Sequence, residues 1–207
     1  MKFQLATKDI RIALDKVAKS DTEIREALKV VGYPVERRSG GPSFEHLLRI
    51  VNGQQLSVKS AAAIFVRVET AMGTVVPENF LNKSDEELRA CGLSRQKIEY
   101  GRILSQAVLD GFKPEDLIKK SDEEVLEAIT ALKGFGRWSA EMFLMFSLGR
   151  PDVWPADDLA VQEAVKRLKG LKKRPGTKKM DAIAKPWRPH RSAVAVFLWH
   201  FYSNAPF

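Results

Sequence analysis

Two adjacent carboxylates, Asp157 and Asp158, follow a Trp154-Pro155-Ala156 turn and precede a run of helical spacing that begins near Leu159. A fixed carboxylate stabilises positive charge developing on a reacting carbon, and it can orient or activate an attacking water. The same residue type is an ordinary helix N-cap, so either aspartate can also serve to start the helix at Leu159. Earlier in the chain, Gly134 and Gly136 flank Phe135 in a tight turn that opens an amphipathic helix carrying Met142, Phe143, Met145 and Phe146. A glycine turn feeding a helix N-terminus points N–H groups outward, which suits an anion such as a phosphate. Without a ligand, the same string reads as a helix–turn–helix corner.

Composition narrows the chemistry. The chain has 207 residues, 44% hydrophobic and 29% charged, enough for a packed core without covalent staples. Its single cysteine, Cys91, allows no internal disulfide and no multi-cysteine metal or iron–sulfur cluster, and suggests a reducing compartment. The N-terminus lacks the apolar core of a signal peptide, and runs such as Ala193 to Trp199 are too short to span a bilayer. The net charge of +8 is concentrated: between Lys166 and Arg191 there are eleven Lys or Arg and one acid, Asp181, leaving the remainder near −2. Beside a hairpin motif, such a stretch suits a phosphate backbone; alone it reads as a solvated loop.

The elements that must position these groups are helical. Ile10–Ala18 and Thr22–Val31 have helical spacing with a break and cap at Ser20-Asp21, and Gly32-Tyr33-Pro34 ends the second. Arg37 to Pro42 reads as a flexible loop. Phe44, Leu47, Leu48 and Val51 stand at i, i+3, i+4, i+7. The Asn52–Ser57 segment interrupts that helix, Ser57 caps the next, and Ala61-Ala62-Ala63 would offer a face for close packing. Then Lys83-Ser84-Asp85-Glu86-Glu87 recurs as Lys120-Ser121-Asp122-Glu123-Glu124. Both copies are capping boxes leading through a glycine turn into a longer helix, so the spacing predicts two helix–turn–helix units in tandem. Only the second turn has two glycines; the first is structural, with Arg95 and Lys97 within possible reach of phosphate. Leu159–Leu168 and Arg191–Tyr202 are the last predicted helices, with a basic loop from Gly170 to Thr177 between them. No run alternates like a strand, so the fold class is all-α.

Taken together, Leu132-x-Gly134-Phe135-Gly136-x-x-Ser139-Ala140 followed by Asp158 resembles the helix-hairpin-helix plus Gly/Pro/Asp signature of a DNA glycosylase superfamily. Arg137-Trp138-Ser139-Ala140 and the paired aspartates resemble its 3-methyladenine DNA glycosylase II branch. The resemblance covers roughly Pro42 to Tyr202 and is specific in combination. It implies two helical subdomains around a DNA-binding cleft, roughly 60–168 as one and 1–59 with 169–207 as the other, without the sheet domain that precedes this unit in larger bacterial relatives.

The resemblance also implies roles. Asp158 matches the catalytic aspartate, and Trp138, Met142, Trp199 and His200 match pocket walls for an extruded base; Met142 and His200 depart from the tyrosines of the bacterial pattern. Gly134, Phe135, Gly136, Arg137 and Ser139 would hold DNA phosphate. The Gln-Gln-x-Ser turn would face DNA, with Gln55 as the side chain that fills the gap left by the base and Leu56 in reserve. A monovalent cation, Na+ or K+, is implied at the carbonyls of Thr130, Leu132 and Phe135; no other cofactor is.

Bifunctional relatives carry a lysine just before Ser139, and here that residue is Trp138. Water is then the nucleophile and the strand stays intact. The expected activity is excision of alkylated bases from double-stranded DNA by a monomeric enzyme, in a nucleoid or a nucleus and not at a membrane. The competing expectations are a non-catalytic helix-hairpin-helix DNA-binding module, and a glycosylase/lyase using another amine such as Lys133.

Overall fold

The computed structural model describes residues 5–35 and 40–205, and every element among them is helical. Two compact units are present: Met1–Arg38 with Leu144–Phe207, and Ser39–Phe143. One unit is a continuous segment and the other is made from both ends of the chain, but the boundaries differ from the expected 60–168 split. The helix at Phe44–Gly53 packs with the continuous segment, and the helix at Leu159–Leu168 packs with the C-terminal one. Residues 37–39 of the expected Arg37–Pro42 loop lie outside the described residues.

The continuous unit contains α3 (Phe44–Gly53), α4 (Val58–Met72), α5 (Pro77–Leu81), α6 (Asp85–Ala90), α7 (Arg95–Leu109) and α8 (Asp122–Thr130), with a 3₁₀ turn at Pro114–Lys119. Its hub is α7, which meets α3, α5 and α6. Gly101 makes this possible: a Cβ there would lie 2.4 Å from Phe80 Cζ and 3.2 Å from Leu48 Cδ1. The entropy cost of a mid-helix glycine is accepted for that approach. The expected alanine face of α4 is not the packed one. Ala62 and Ala63 are exposed, and Phe65, Val68 and Met72 face the core, because the larger side chains remove more apolar surface from water.

The tandem repeat is present in the fold. In α6 and α8 the N-cap serines Ser84 and Ser121 accept from the backbone N–H of Glu87 (3.1 Å) and Glu124 (3.2 Å), whose carboxylates accept from the serine N–H at 2.8 Å in both copies. The first glycine turn is filled from within the fold. Arg67 Nε donates to Cys91 O at 2.7 Å, and a Cβ on Gly92 would meet that guanidinium at 2.8 Å.

The other unit contains α1 (Thr7–Ala18), α2 (Thr22–Val31), α10 (Leu159–Leu168), α11 (Thr177–Ala184) and α12 (Arg191–Asn204). Ser192 to Leu198 of α12 are all buried, and α12 meets α1, α2 and α10. Asp21 caps α2 by accepting from Ile24 N–H at 3.0 Å, and it also takes Lys169 Nζ (2.8 Å) and Trp187 Nε1 (2.7 Å). Helix α11 has no counterpart among the predicted helices. Its capping residue is Gly176, which supplies no side-chain cap, so the usual start signal is absent from the sequence.

Candidate active site and nucleic-acid interface

The loop bearing the paired aspartates is strapped at several points before it reaches them. Ser192 Oγ donates to Arg150 O at 2.7 Å and accepts from Val153 N–H at 2.9 Å. Arg191 Nε donates to Asp152 Oδ1 at 2.8 Å. Gln162 reaches back from α10 to Ala156 O at 2.8 Å. Trp154 is buried edge-on against Trp187, centroids 5.4 Å apart. These contacts leave the Asp157-Asp158 dipeptide little freedom.

Asp158, not Asp157, is the N-cap of α10. Its Oδ1 accepts from Val161 N–H at 2.9 Å and from Trp199 Nε1 at 3.1 Å. One carboxylate therefore starts a helix and is also aimed by an indole from α12. Trp199 stacks at a tilt on Phe146, centroids 5.9 Å apart. Asp157 turns elsewhere, taking the Thr177 hydroxyl at 2.5 Å. His200, the neighbour of Trp199, is spent on helix packing: Nε2 bonds Val31 O at 2.8 Å and Nδ1 meets Asn204 Nδ2 at 3.2 Å.

The second hairpin joins α8 to α9 (Arg137–Phe146). Its turn closes with Leu132 N–H to Ile129 O (3.1 Å) and Phe135 N–H to Leu132 O (3.0 Å), and Phe135 is buried. Gly134 has φ +91°, and a Cβ there would sit 2.2 Å from Tyr100 Cγ. Gly136 has open space around it, so the two glycines have different causes: the first lets the turn pass over Tyr100, the second leaves the outer surface bare. Ser139 and Met142 are buried, Trp138 is half-buried, and Arg137 is exposed while pairing with buried Glu141 at 2.8 Å.

The Gln-Gln turn belongs to the same unit as this hairpin. Gln54, absent from the expected site residues, links the two: its Nε2 donates to Gly134 O at 2.8 Å and lies 3.3 Å from Ser139 Oγ. Gln55 holds φ +57°, a left-handed conformation that costs a non-glycine residue energy. Gln55 and Leu56 both project into solvent. Ser57 caps α4 through Ser60 N–H at 3.2 Å. Lys97 is turned inward, donating to Asn52 O at 2.7 Å, and burial lowers its pKa.

Lys133 does not resemble a nucleophilic amine. It pairs with Glu99 of α7 at 2.5 Å, and that hydrogen bond raises its pKa, keeping it protonated.

Comparison with known proteins gives one consistent result. The model of the family described as "HhH-GPD superfamily base excision DNA repair protein" matches residues 48–189. DNA-3-methyladenine glycosylase 1 of Schizosaccharomyces pombe is 36% identical over 186 residues, covering 86% of this chain and 82% of that protein. The solved structure of the 3-methyladenine DNA glycosylase of that yeast in complex with abasic DNA superposes with a TM-score of 0.88 at 34% identity, over 94% of this chain and 98% of the other. A DNA-3-methyladenine glycosidase from Bacillus halodurans gives a TM-score of 0.71 at 34% identity, over 90% and 87% of the two chains.

Proposed function

The chain belongs to the HhH-GPD superfamily of base excision DNA repair proteins, and we propose that it is a monofunctional glycosylase that hydrolyses the N-glycosidic bond of alkylated, 3-methyladenine-type bases in double-stranded DNA. The observation that carries this reading is Asp158, oriented through one oxygen by a helix N–H and by the Trp199 indole.

Loss of the base leaves positive charge on the sugar, as in glycoside cleavage. A carboxylate fixed beforehand stabilises that charge without reorganising during the reaction, the usual source of the largest rate contribution. The same carboxylate orients the water that adds to C1′. The base leaves the stack first and enters a pocket. A cationic alkylated purine is attracted to an aromatic face by about 0.5–2 kcal/mol. Trp138 and Trp199 supply such faces, with Met142 and His200 at positions assigned by resemblance.

The hairpin's part is to hold the strand. Backbone N–H groups of Gly134 and Gly136 and at the start of α9 bind phosphate, with Arg137 and Ser139 beside them. The Gln54 bridge ties this grip to the turn carrying Gln55 and Leu56, one of which fills the place of the extruded base. The carbonyls of Thr130, Leu132 and Phe135 are neutral oxygen donors of the kind that suit Na+ or K+, which would add positive charge near the phosphate. The test is incubation with methylated duplex DNA, reading released bases by chromatography and strand integrity on a gel. Released methylpurines with an intact strand support the reading; no release overturns it.

A further inference from the structure

The basic run divides into two classes of cation. Lys166 and Arg167 pair with Glu163, Lys169 with Asp21, and Arg188 and Arg191 with Asp152. By contrast, among the described residues no carboxylate pairs with Lys172, Lys173, Arg174, Lys178, Lys179 or Lys185. Some exposed lysines elsewhere are neutralised locally, as Lys29 by Glu26, Lys119 by Asp116 and Lys120 by Glu124, and what sets this segment apart is that its unpaired cations are clustered in sequence. Lys178 and Lys179 also stand in the first turn of α11, the end at which the helix dipole repels cations. An outside anion would relieve both.

The segment is held firmly under these charges. Pro175, Met180 and Ala184 are buried. Thr177 Oγ1 donates to Asp157, whose neighbour Asp158 caps α10 and takes the Trp199 indole. No aromatic residue interrupts Leu171 to Lys179, so the stacking platform that single strands need is missing. Flexible cations without base-reading groups suit a duplex backbone.

We propose that the Lys172–Lys179 segment is a contact surface for the phosphates of duplex DNA, and that the Asp157–Thr177 hydrogen bond couples this grip to Asp158. The proposal rests on the glycosylase reading for its coupling half, whereas the binding half needs no catalysis. It also gives the paired aspartates separate tasks, chemistry for Asp158 and attachment of the basic surface for Asp157.

Two variants of the full chain test it. For Lys172→Ala/Lys173→Ala/Lys178→Ala/Lys179→Ala, affinity for an undamaged duplex is measured by fluorescence anisotropy over a range of salt. The slope of log affinity against log salt should shrink by about 0.9 for each phosphate that the variant no longer neutralises. An unchanged slope in a folded variant overturns the surface, and loss of binding to duplex RNA with DNA binding intact assigns it to RNA and overturns the proposal equally. Thr177→Val keeps every cation and removes the hydroxyl. Its duplex affinity should hold while single-turnover excision at saturating protein falls about fivefold, the rate equivalent of one hydrogen bond, with Thr177→Ser restoring it. An unchanged Thr177→Val rate overturns the coupling. If the unmodified protein releases no base, the glycosylase reading has failed, and the salt slope still decides the surface.

Discussion

The Trp199 indole donates to Asp158 Oδ1 at 3.1 Å, joining the last helix of the chain to the carboxylate that starts α10. Trp199→Phe keeps an aromatic face and removes only the N–H. A hydrogen bond to a charged acceptor contributes about 1.5–3 kcal/mol, and a carboxylate that has lost one of its orienting donors should stabilise the sugar cation less well. Single-turnover excision should fall about tenfold or more, with duplex affinity unchanged. An unaltered rate would show that the indole acts only through its aromatic surface.

The two hairpin glycines separate binding from folding. Gly136 has open space, so Gly136→Val should keep its melting temperature while crowding the approach of phosphate. We expect duplex affinity to fall about tenfold, or about 1.4 kcal/mol. Gly134→Ala places a Cβ 2.2 Å from the Tyr100 ring at φ +91°, so it should lower both stability and affinity. Gly136→Val that binds undamaged duplex as tightly as the parent would remove the hairpin from the interface.

Acid stability should reflect His46 and Asp21 in different pH windows. Burial, reinforced by Arg49 and opposed by a backbone hydrogen bond at Gly41, lowers His46 from 6.5 to about 4. The unfolded chain therefore takes up this proton first, and stability falls as pH drops from 6.5 towards 4, by about 3 kcal/mol in full. For Asp21, burial pushes the pKa up, but hydrogen bonds from Lys169, Ile24 N–H and Trp187 outweigh it and hold the pKa below 3.8. Its contribution is complete above 3.8 and is lost only as pH falls through the lower folded value. Urea midpoints from pH 7 to 4 should decline less steeply in His46→Gln than in the parent, while Asp21→Asn should leave that window's slope in place. Equal slopes for His46→Gln and the parent would contradict the burial account.

Strand chemistry is checked by borohydride. By the resemblance, Trp138 takes the place of a Schiff-base lysine, and Lys133 is held protonated against Glu99. No covalent protein–DNA complex should be trapped at the rate of base release, and Lys133→Ala should release bases as the parent does. A trapped complex that Lys133→Ala abolishes would establish the lyase alternative.

Much of the fold is legible in residue patterns. Helical periodicity, the Ser/Glu capping boxes and the glycine turns are local signals, and they place α1 to α3, α6, α8, α10 and α12. Helix α11 is hidden because Gly176 offers no capping side chain and the charges around it resemble a loop. The expected alanine face of α4 fails because three small residues do not outweigh Phe65, Val68 and Met72. At the site, the hairpin turn is readable from its two glycines, whereas the role expected of Asp158 comes from the resemblance, since residue type alone reads it as a capping acid. The capping choice between Asp157 and Asp158 is not readable, because both have the right chemistry and only the path of the loop decides. Gln54 is equally hidden: its partners lie far along the chain, at Gly134 and Ser139.

The most direct measurement is the single-turnover excision rate of Asp158→Asn on a duplex carrying one alkylated purine, with Asp157→Asn beside it. Asparagine is as good an N-cap as aspartate, so α10 is preserved and only the charge is removed. Asp158→Asn should lose about 10²-fold or more in rate, the scale of deleting one electrostatic stabiliser, with duplex affinity kept. Asp157→Asn retains an acceptor for Thr177 and should stay close to the parent. An Asp158→Asn rate within a few fold of the parent, in a folded protein, would contradict carboxylate-assisted hydrolysis at this site.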